Sequence, residues 1–264
     1  MRRVTFALPA ICGLVIALSA LPAGAQGTII DAPATFVLNA GAFSASPSAN
    51  FTGVSATLTQ DHVFESGWWF RVSGDTQETF FPVPTTQNYV GNTATIDWTD
   101  VGGRQLFSAQ LVWQVTNTGG PSGYVTGTMT ITNIGSLGAP LLIDIFHMLD
   151  FDLAGAGSDS ATLVTANNHI ALTDPSLNTA EYRGLLANAF QVAPFGATDI
   201  GAVLSNAVVD NFANTGLPFG PGDFTGGFQW TTVTIPVAGS QAYTVVFSVN
   251  TGALPVELSG FSVD

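Results

Sequence analysis

From about residue 35 onward the chain runs in short stretches where apolar and polar residues alternate, each closed by Gly, Asn, Asp or Pro. Between 124 and 132, Val125, Met129 and Ile131 fall on one side, and Thr126, Thr128, Thr130 and Thr132 on the other. Leu111, Trp113 and Val115 repeat the pattern. Successive side chains of a strand point to opposite faces, so each such run buries one face and leaves the other wet. The alternation predicts strands at Thr35–Asn39, Phe51–Gln60, Val63–Ser73, Thr79–Val83, Thr93–Trp98, Gln105–Asn117 and Tyr124–Asn133. It continues with Leu141–Leu153, Ala161–Thr165, His169–Thr173, Glu181–Val192, Phe224–Ile235, Ala242–Asn250 and Val256–Val263. Thr118–Gly123 is rich in turn formers and predicts a hairpin between its flanking strands. Ala40–Asn50 is small and polar and reads as a loop.

One stretch keeps a different period. Ile200, Val203, Leu204, Ala207, Val208 and Phe212 recur at helical spacing, with Thr198 or Asp199 as N-cap and Gly216 as stop. Gly216–Asp223 then reads as a rigid loop. The expected fold is therefore all-β: one antiparallel β-sandwich of about 12–15 strands, with one short helix near 199–212.

The first residues belong to another class of pattern. Arg2 and Arg3, the mostly apolar run Val4–Leu21 and the small residues Ala23-Gly24-Ala25 are the parts of a Sec-type signal peptide. The expectation is a leader over 1–25, a single β-sandwich domain over 26–264, and a secreted, extracellular or cell-envelope location with no membrane span after cleavage. Cys12, the single cysteine, falls inside the apolar run. The remaining chain then has no thiol chemistry, no thiolate metal site and no disulfide.

Charge narrows the chemistry further. The full chain has a formal net charge of −13 and contains no lysine. Losing Arg2 and Arg3 makes it two charges more negative, with Arg71, Arg104 and Arg183 the remaining cations. A P-loop and Schiff-base chemistry both need a lysine, so both are excluded. Nucleic acid would be repelled by such a surface and is excluded as a partner.

Candidate chemistry gathers in Leu141–Ser160, LLIDIFHMLDFDLAGAGSDS. Alternation places His147 with Leu141, Ile143, Ile145, Leu149 and Phe151 on the core face, and Asp144, Asp150 and Asp152 on the other. His147 therefore reads as a buried, hydrogen-bonded histidine rather than a catalytic base. Asp150 and Asp152 lie two apart on one face, and Asp159 can fold back through Gly155-Ala156-Gly157. Three carboxylates with loop carbonyls suit Ca²⁺, so Asp150, Asp152 and Asp159 are the candidate ligands and calcium the candidate cofactor. The EF-hand pattern fails, because Ala161 stands where the closing Glu is needed. A solvated acidic turn is the plainer alternative.

No catalytic residues are assigned. Glu65, Glu78, Glu181 and Glu257 are scattered, no Gly-x-Ser-x-Gly elbow occurs, and His62 and His169 have no ligand spacing with His147. A hydrolase using Asp150, Asp152 and His147 is the remaining catalytic alternative. Trp68, Trp69 and Tyr89 are candidate sugar-stacking residues, although alternation puts Trp68 and Trp69 on opposite faces.

Four segments carry a family resemblance: Gly67-Trp68-Trp69-Phe70-Arg71, Val115-Thr116-Asn117-Thr118-Gly119, Phe146–Leu153, and Gly220-Pro221-Gly222-Asp223-Phe224 leading to Trp230. Together, over about Phe64 to Val249, the chain resembles a loosely defined group of secreted bacterial β-sandwich proteins of the PEP-CTERM type, whose function is unassigned. The sorting tail itself is missing, since Leu254–Asp264 holds no Pro-Glu-Pro motif. The export signal and the lack of a catalytic constellation lead to the expectation of a secreted, non-catalytic envelope or extracellular protein, structural or adhesive, with a glycan or matrix protein as partner. The alternative is a calcium-dependent carbohydrate-binding module.

Overall fold

The alternating runs pair as antiparallel ladders and stack as two sheets, as their half-buried pattern requires. The computed structural model describes residues 27–32, 34–38, 43–51, 62–119, 122–135, 138–153 and 157–249. The first strands are β1 (Gly27–Asp31), β2 (Ala34–Leu38), β3 (Phe43–Phe51), β4 (Val63–Val72), β5 (Thr79–Phe80), β6 (Thr86–Val90) and β7 (Thr93–Trp98). The middle of the chain forms β8 (Phe107–Gly119), β9 (Ser122–Asn133), β10 (Leu141–Phe151), β11 (Asp159–Thr165), β12 (His169–Thr173), β13 (Thr179–Leu185) and β14 (Ala189–Pro194). Helix α1 (Ile200–Leu204) precedes β15 (Phe219–Gly222), β16 (Phe224–Ile235) and β17 (Ser240–Val249).

Sheet one runs β1-β2-β3-β4-β10-β16-β14, with β5 added to β4. Sheet two runs β15-β11-β12-β13-β17-β9-β8-β7-β6. The expected antiparallel sandwich is what the chain forms, and the predicted β8–β9 hairpin is one of its ladders.

Strand β10 is central to sheet one, paired with β4 on one side and β16 on the other. Its inner side chains enter the main core between the sheets, where Trp68, Trp113, Trp230, Tyr182 and Phe247 are buried. Two glycines make room for these rings. A Cβ at Gly127 would stand 2.2 Å from the Trp113 ring, and one at Gly184 would stand 2.5 Å from Phe228.

The outer face of sheet one is covered as well. There Trp69, Phe146 and Met148 pack against Ile200, Leu204 and Phe212 in a second apolar cluster. Helix α1 and the segment 205–216 form a strap over this face. The strap also closes the edge of β14. Asn214 N–H donates to the Phe190 carbonyl (2.9 Å), Val192 N–H to the Thr215 carbonyl (3.0 Å), and Phe190 N–H to Asn214 Oδ1 (3.0 Å).

Several elements differ from the sequence reading. The helix spans only Ile200–Leu204, capped by Asp199, whose side chain accepts from Ala202 N–H at 2.7 Å. Beyond it the backbone bonds to side chains: Asp210 N–H donates to Glu78, just before β5, and Phe212 N–H to Gln229 Oε1 of β16 (2.7 Å). Those bonds hold the chain out of helical form although its apolar residues keep helical spacing. The expected loop at 40–50 contains β3, which pairs with β2 and β4. The single strand expected at Glu181–Val192 is two strands, because the chain crosses from sheet two (β13) to sheet one (β14) after Leu185. Part of the expected rigid loop 216–223 is β15, paired with β11. Strands β1 and β6 had no clear alternation. The expected leader over 1–25, most of the expected strand at 51–60, and the expected strand at 256–263 lie outside the described residues.

Candidate functional site

The end of β10 gathers carboxylates. Asp150 lies opposite Glu65 of β4 and Thr225 of β16. Asp152 follows the strand, and Asp223 leads into β16. One carboxylate oxygen from each of Asp150, Asp152 and Asp223 lies within 4.8 Å of the other two. Asp159, the third ligand expected from sequence, is not within that trio. It is fully buried at the start of β11, near enough for the charges of Asp152 and Asp223 to act on it. Asp223 takes the expected place of Asp159, and no local spacing links Asp223 to Asp150.

Burial and like charge dominate the electrostatics of this cluster. Burial pushes the Asp150 carboxyl up to about 9, and the charges of Asp152, Asp223, Glu65 and Asp199 add to the effect. Asp159 is pushed up to about 7 by burial and then by Asp152, with the Leu153 N–H opposing. Glu65 is raised by burial and by Asp199. Among the described residues the three arginines pair elsewhere: Arg71 with Glu78 and Asp144, Arg104 with Asp75, Arg183 with Glu181. The exposed rings of Phe64 and Phe195 meet edge to face at 5.5 Å. Phe195 N–H donates to the Asp223 carbonyl at 2.9 Å.

His147 is on the opposite side of the sheet. It is fully buried and lies 4.6 Å from the Trp68 ring, centroid to centroid. Its Nδ1 bonds the Tyr182 hydroxyl at 2.6 Å and its Nε2 the Ser66 hydroxyl at 3.1 Å. Burial lowers its pKa to about 3, so the imidazole is neutral. Sheet one separates His147 from Asp150 and Asp152, and the constellation required for a hydrolase at these three residues does not assemble.

The three aromatic candidates are not brought together either. Trp68 is buried between the sheets and Trp69 beneath the strap. Tyr89 is on β6, in sheet two, half-buried and donating to Gln87 at 2.5 Å. No shared stacking platform results.

The other end of β10 holds two adjoining clefts, of about 340 Å³ and 240 Å³. Val72, Ser73 and Leu142 line both. Arg104, Leu106, Asn133 and Pro140 complete much of the larger, and Arg71, Asp75, Asp144 and Thr232 much of the smaller. Arg104 forks onto Asp75 through both terminal nitrogens, at 2.7 and 2.8 Å. This pairing raises Arg104 and, despite the opposing effect of burial, holds Asp75 below the usual carboxylate range.

Arg71 anchors the floor. It donates to Glu78 (2.5 Å), to Asp144, to the Asp210 carbonyl (2.8 Å) and to Asn211 Oδ1 (2.6 Å), and lies 5.5 Å over the Phe146 ring. In the sequence Arg71 stands out only as one of three remaining cations and as the end of Gly67-Trp68-Trp69-Phe70-Arg71. Asp144, Asp210 and Asn211 are 73 or more residues from Arg71, so that part of the network left no local signal.

No family model and no curated protein matches the chain. Solved structures do share its fold. A galactose mutarotase-like protein from Lactobacillus casei superposes with a TM-score of 0.56 at 7% identity, over 86% of this chain and 100% of that one. A galactose mutarotase related enzyme from Lactobacillus acidophilus gives 0.51 at 7% identity, over 88% and 100%. A bacterial glucoamylase complexed with acarbose gives 0.56 at 9% identity, over 88% of this chain and 33% of that one. At such identities the likeness is one of fold. It nonetheless overturns the expected non-catalytic structural or adhesive role, because the described neighbours are mutarotase-like proteins and enzymes. Alternation reads the same in any sandwich, and a missing motif does not argue against a site assembled from distant strands.

Proposed function

With the mutarotase-like fold as premise, we propose that this protein handles carbohydrate and takes a saccharide in the paired clefts beside Ser73 and Leu142. The observation that carries the reading is the lining of these clefts. Arg104, Asp75, Asp144, Ser73 and Thr232 offer donors and acceptors, and Leu106, Pro140 and Leu142 offer apolar surface. Sugar hydroxyls both donate and accept, so forked guanidinium and carboxylate groups suit them, while the C–H faces of the ring suit aliphatic side chains. The larger cleft, about 340 Å³, is within the range of small-molecule sites, roughly 300–1,000 Å³. The galactose mutarotase-like proteins that share the fold along their full length support a saccharide over other small polar ligands.

Calorimetry of the folded chain against a panel of hexoses and short glycans tests this. At least one is expected to bind, with affinity reduced on the order of tenfold in Arg104→Ala, about the worth of one charged hydrogen bond. Polarimetry on a freshly dissolved aldose asks in parallel whether the anomers are interconverted. A folded protein that binds nothing in the panel overturns the reading. Export belongs to the same proposal, supported by Arg2, Arg3 and the apolar run Val4–Leu21. A periplasmic reporter fused after residue 26 that stays inactive would remove it.

A further inference from the structure

We infer that Asp150, Asp152 and Asp223 form a divalent-cation site whose donor set suits calcium. The site is at the far end of β10 from the clefts. Asp144 and Asp150 are separated along the strand by about 20 Å, at about 3.4 Å per residue, so the two proposals stand or fall separately.

Three observations converge on a cation. The spacing is right: oxygens up to 4.8 Å apart match ligands across an ion, since twice a Ca–O distance of about 2.4 Å is about 4.8 Å. Asp150 is 1% exposed, and its Oδ1 is sealed from solvent with no hydrogen-bond partner. A carboxylate so buried, with an oxygen in the trio and its Oδ1 without a donor, is what a cation would satisfy. No lysine or arginine compensates the charge, because the chain has no lysine and Arg71, Arg104 and Arg183 are engaged elsewhere.

The donors are all oxygen. Such a set selects a hard cation and not zinc or copper. Mg²⁺ demands a tight octahedron, whereas Ca²⁺ accepts six to eight ligands in looser geometry. Three carboxylates from a strand end and two loops fit the second better. Main-chain carbonyls and water would fill the remaining positions, and buried Asp159 adds negative potential behind the trio.

Calorimetry and thermal melts of the chelator-treated full chain with CaCl₂, and separately with MgCl₂, test the site. One calcium is expected to bind per chain, with a rise in Tm larger for calcium than for magnesium. Asp150→Asn and Asp223→Asn are each expected to weaken calcium binding on the order of tenfold or more while the protein stays folded, since affinity follows ligand charge. Asp97→Asn, on the exposed face of β7, is the control and is expected to keep both effects. No heat and no Tm shift with calcium would overturn the inference. An equal shift from magnesium, or a calcium shift retained in both site variants, would also overturn it, by attributing the effect to general screening of an acidic chain.

Discussion

His147 of sheet one and Tyr182 of sheet two are bonded across the core, Nδ1 to hydroxyl oxygen, at 2.6 Å. Tyr182 in turn donates to the His147 carbonyl at 3.3 Å, and the Ser66 hydroxyl occupies Nε2. This pins the two sheets at one register in a core otherwise filled by aromatic rings. Tyr182→Phe is expected to keep the fold and lower its stability by about 1–3 kcal/mol, the cost of leaving a buried imidazole nitrogen unpaired. Urea melts at neutral pH measure it, and an unchanged midpoint would show that the bond contributes nothing net.

The same histidine sets an acid limit. Its pKa is about 3 in the folded protein against an ordinary 6.5. Below 6.5 the unfolded chain takes up a proton that the native state refuses. The contribution of neutral His147 is thus intact above 6.5 and lost as pH falls toward 3, by about 1.4 kcal/mol per pH unit. Asp150 and Asp159, raised by burial, act in the opposite sense: they favour the fold at low pH and disfavour it as pH rises. Comparing the wild type with His147→Gln separates the two effects. Their stability difference should narrow as melts move from pH 7 to pH 5, and a constant difference would contradict a neutral buried histidine.

Arg71 joins β4 to β10 and to the strap through one guanidinium. Glu78, whose side chain is fully buried, depends on it for charge balance. Arg71→Met should destabilise the protein by about 3–5 kcal/mol, because the buried carboxylate is left unpaired. Arg71→Met/Glu78→Leu should recover most of that loss, and a double-mutant cycle by denaturant melts measures the coupling.

Gly127 faces the flat side of Trp113 with no room for a methyl group. Gly127→Ala should cost about 1–3 kcal/mol by overpacking, with little effect on saccharide or calcium binding. Equal stability of variant and wild type would show that the ring can move aside.

The sandwich was readable because strands such as β8, β9 and β10 each bury one face cleanly, and a period of two survives any detail of topology. The position of His147 on the core face followed from the same count. Alternation does not distinguish a wet outer face from one covered by another segment, and so Trp69 and Phe146 gave no hint of the strap above them. Asp150 and Asp152 were legible as a pair because they are neighbours on one strand. Asp223 was not, because its place beside them depends on the pairing of β10 with β16. The helix was overextended for a related reason: side-chain spacing at Ala207, Val208 and Phe212 is local, but the bonds from Glu78 and Gln229 that unwind it are not.

The strap has one more effect, on neighbouring molecules. An exposed sheet edge presents free amide and carbonyl groups that a second chain can extend. At β14 those outward groups are spent on Asn214 and Thr215 of the same chain. This margin of sheet one is therefore closed to edge-to-edge polymerisation, so that a β-rich protein poor in charged residues gains protection from fibre formation by folding its own backbone over its open side.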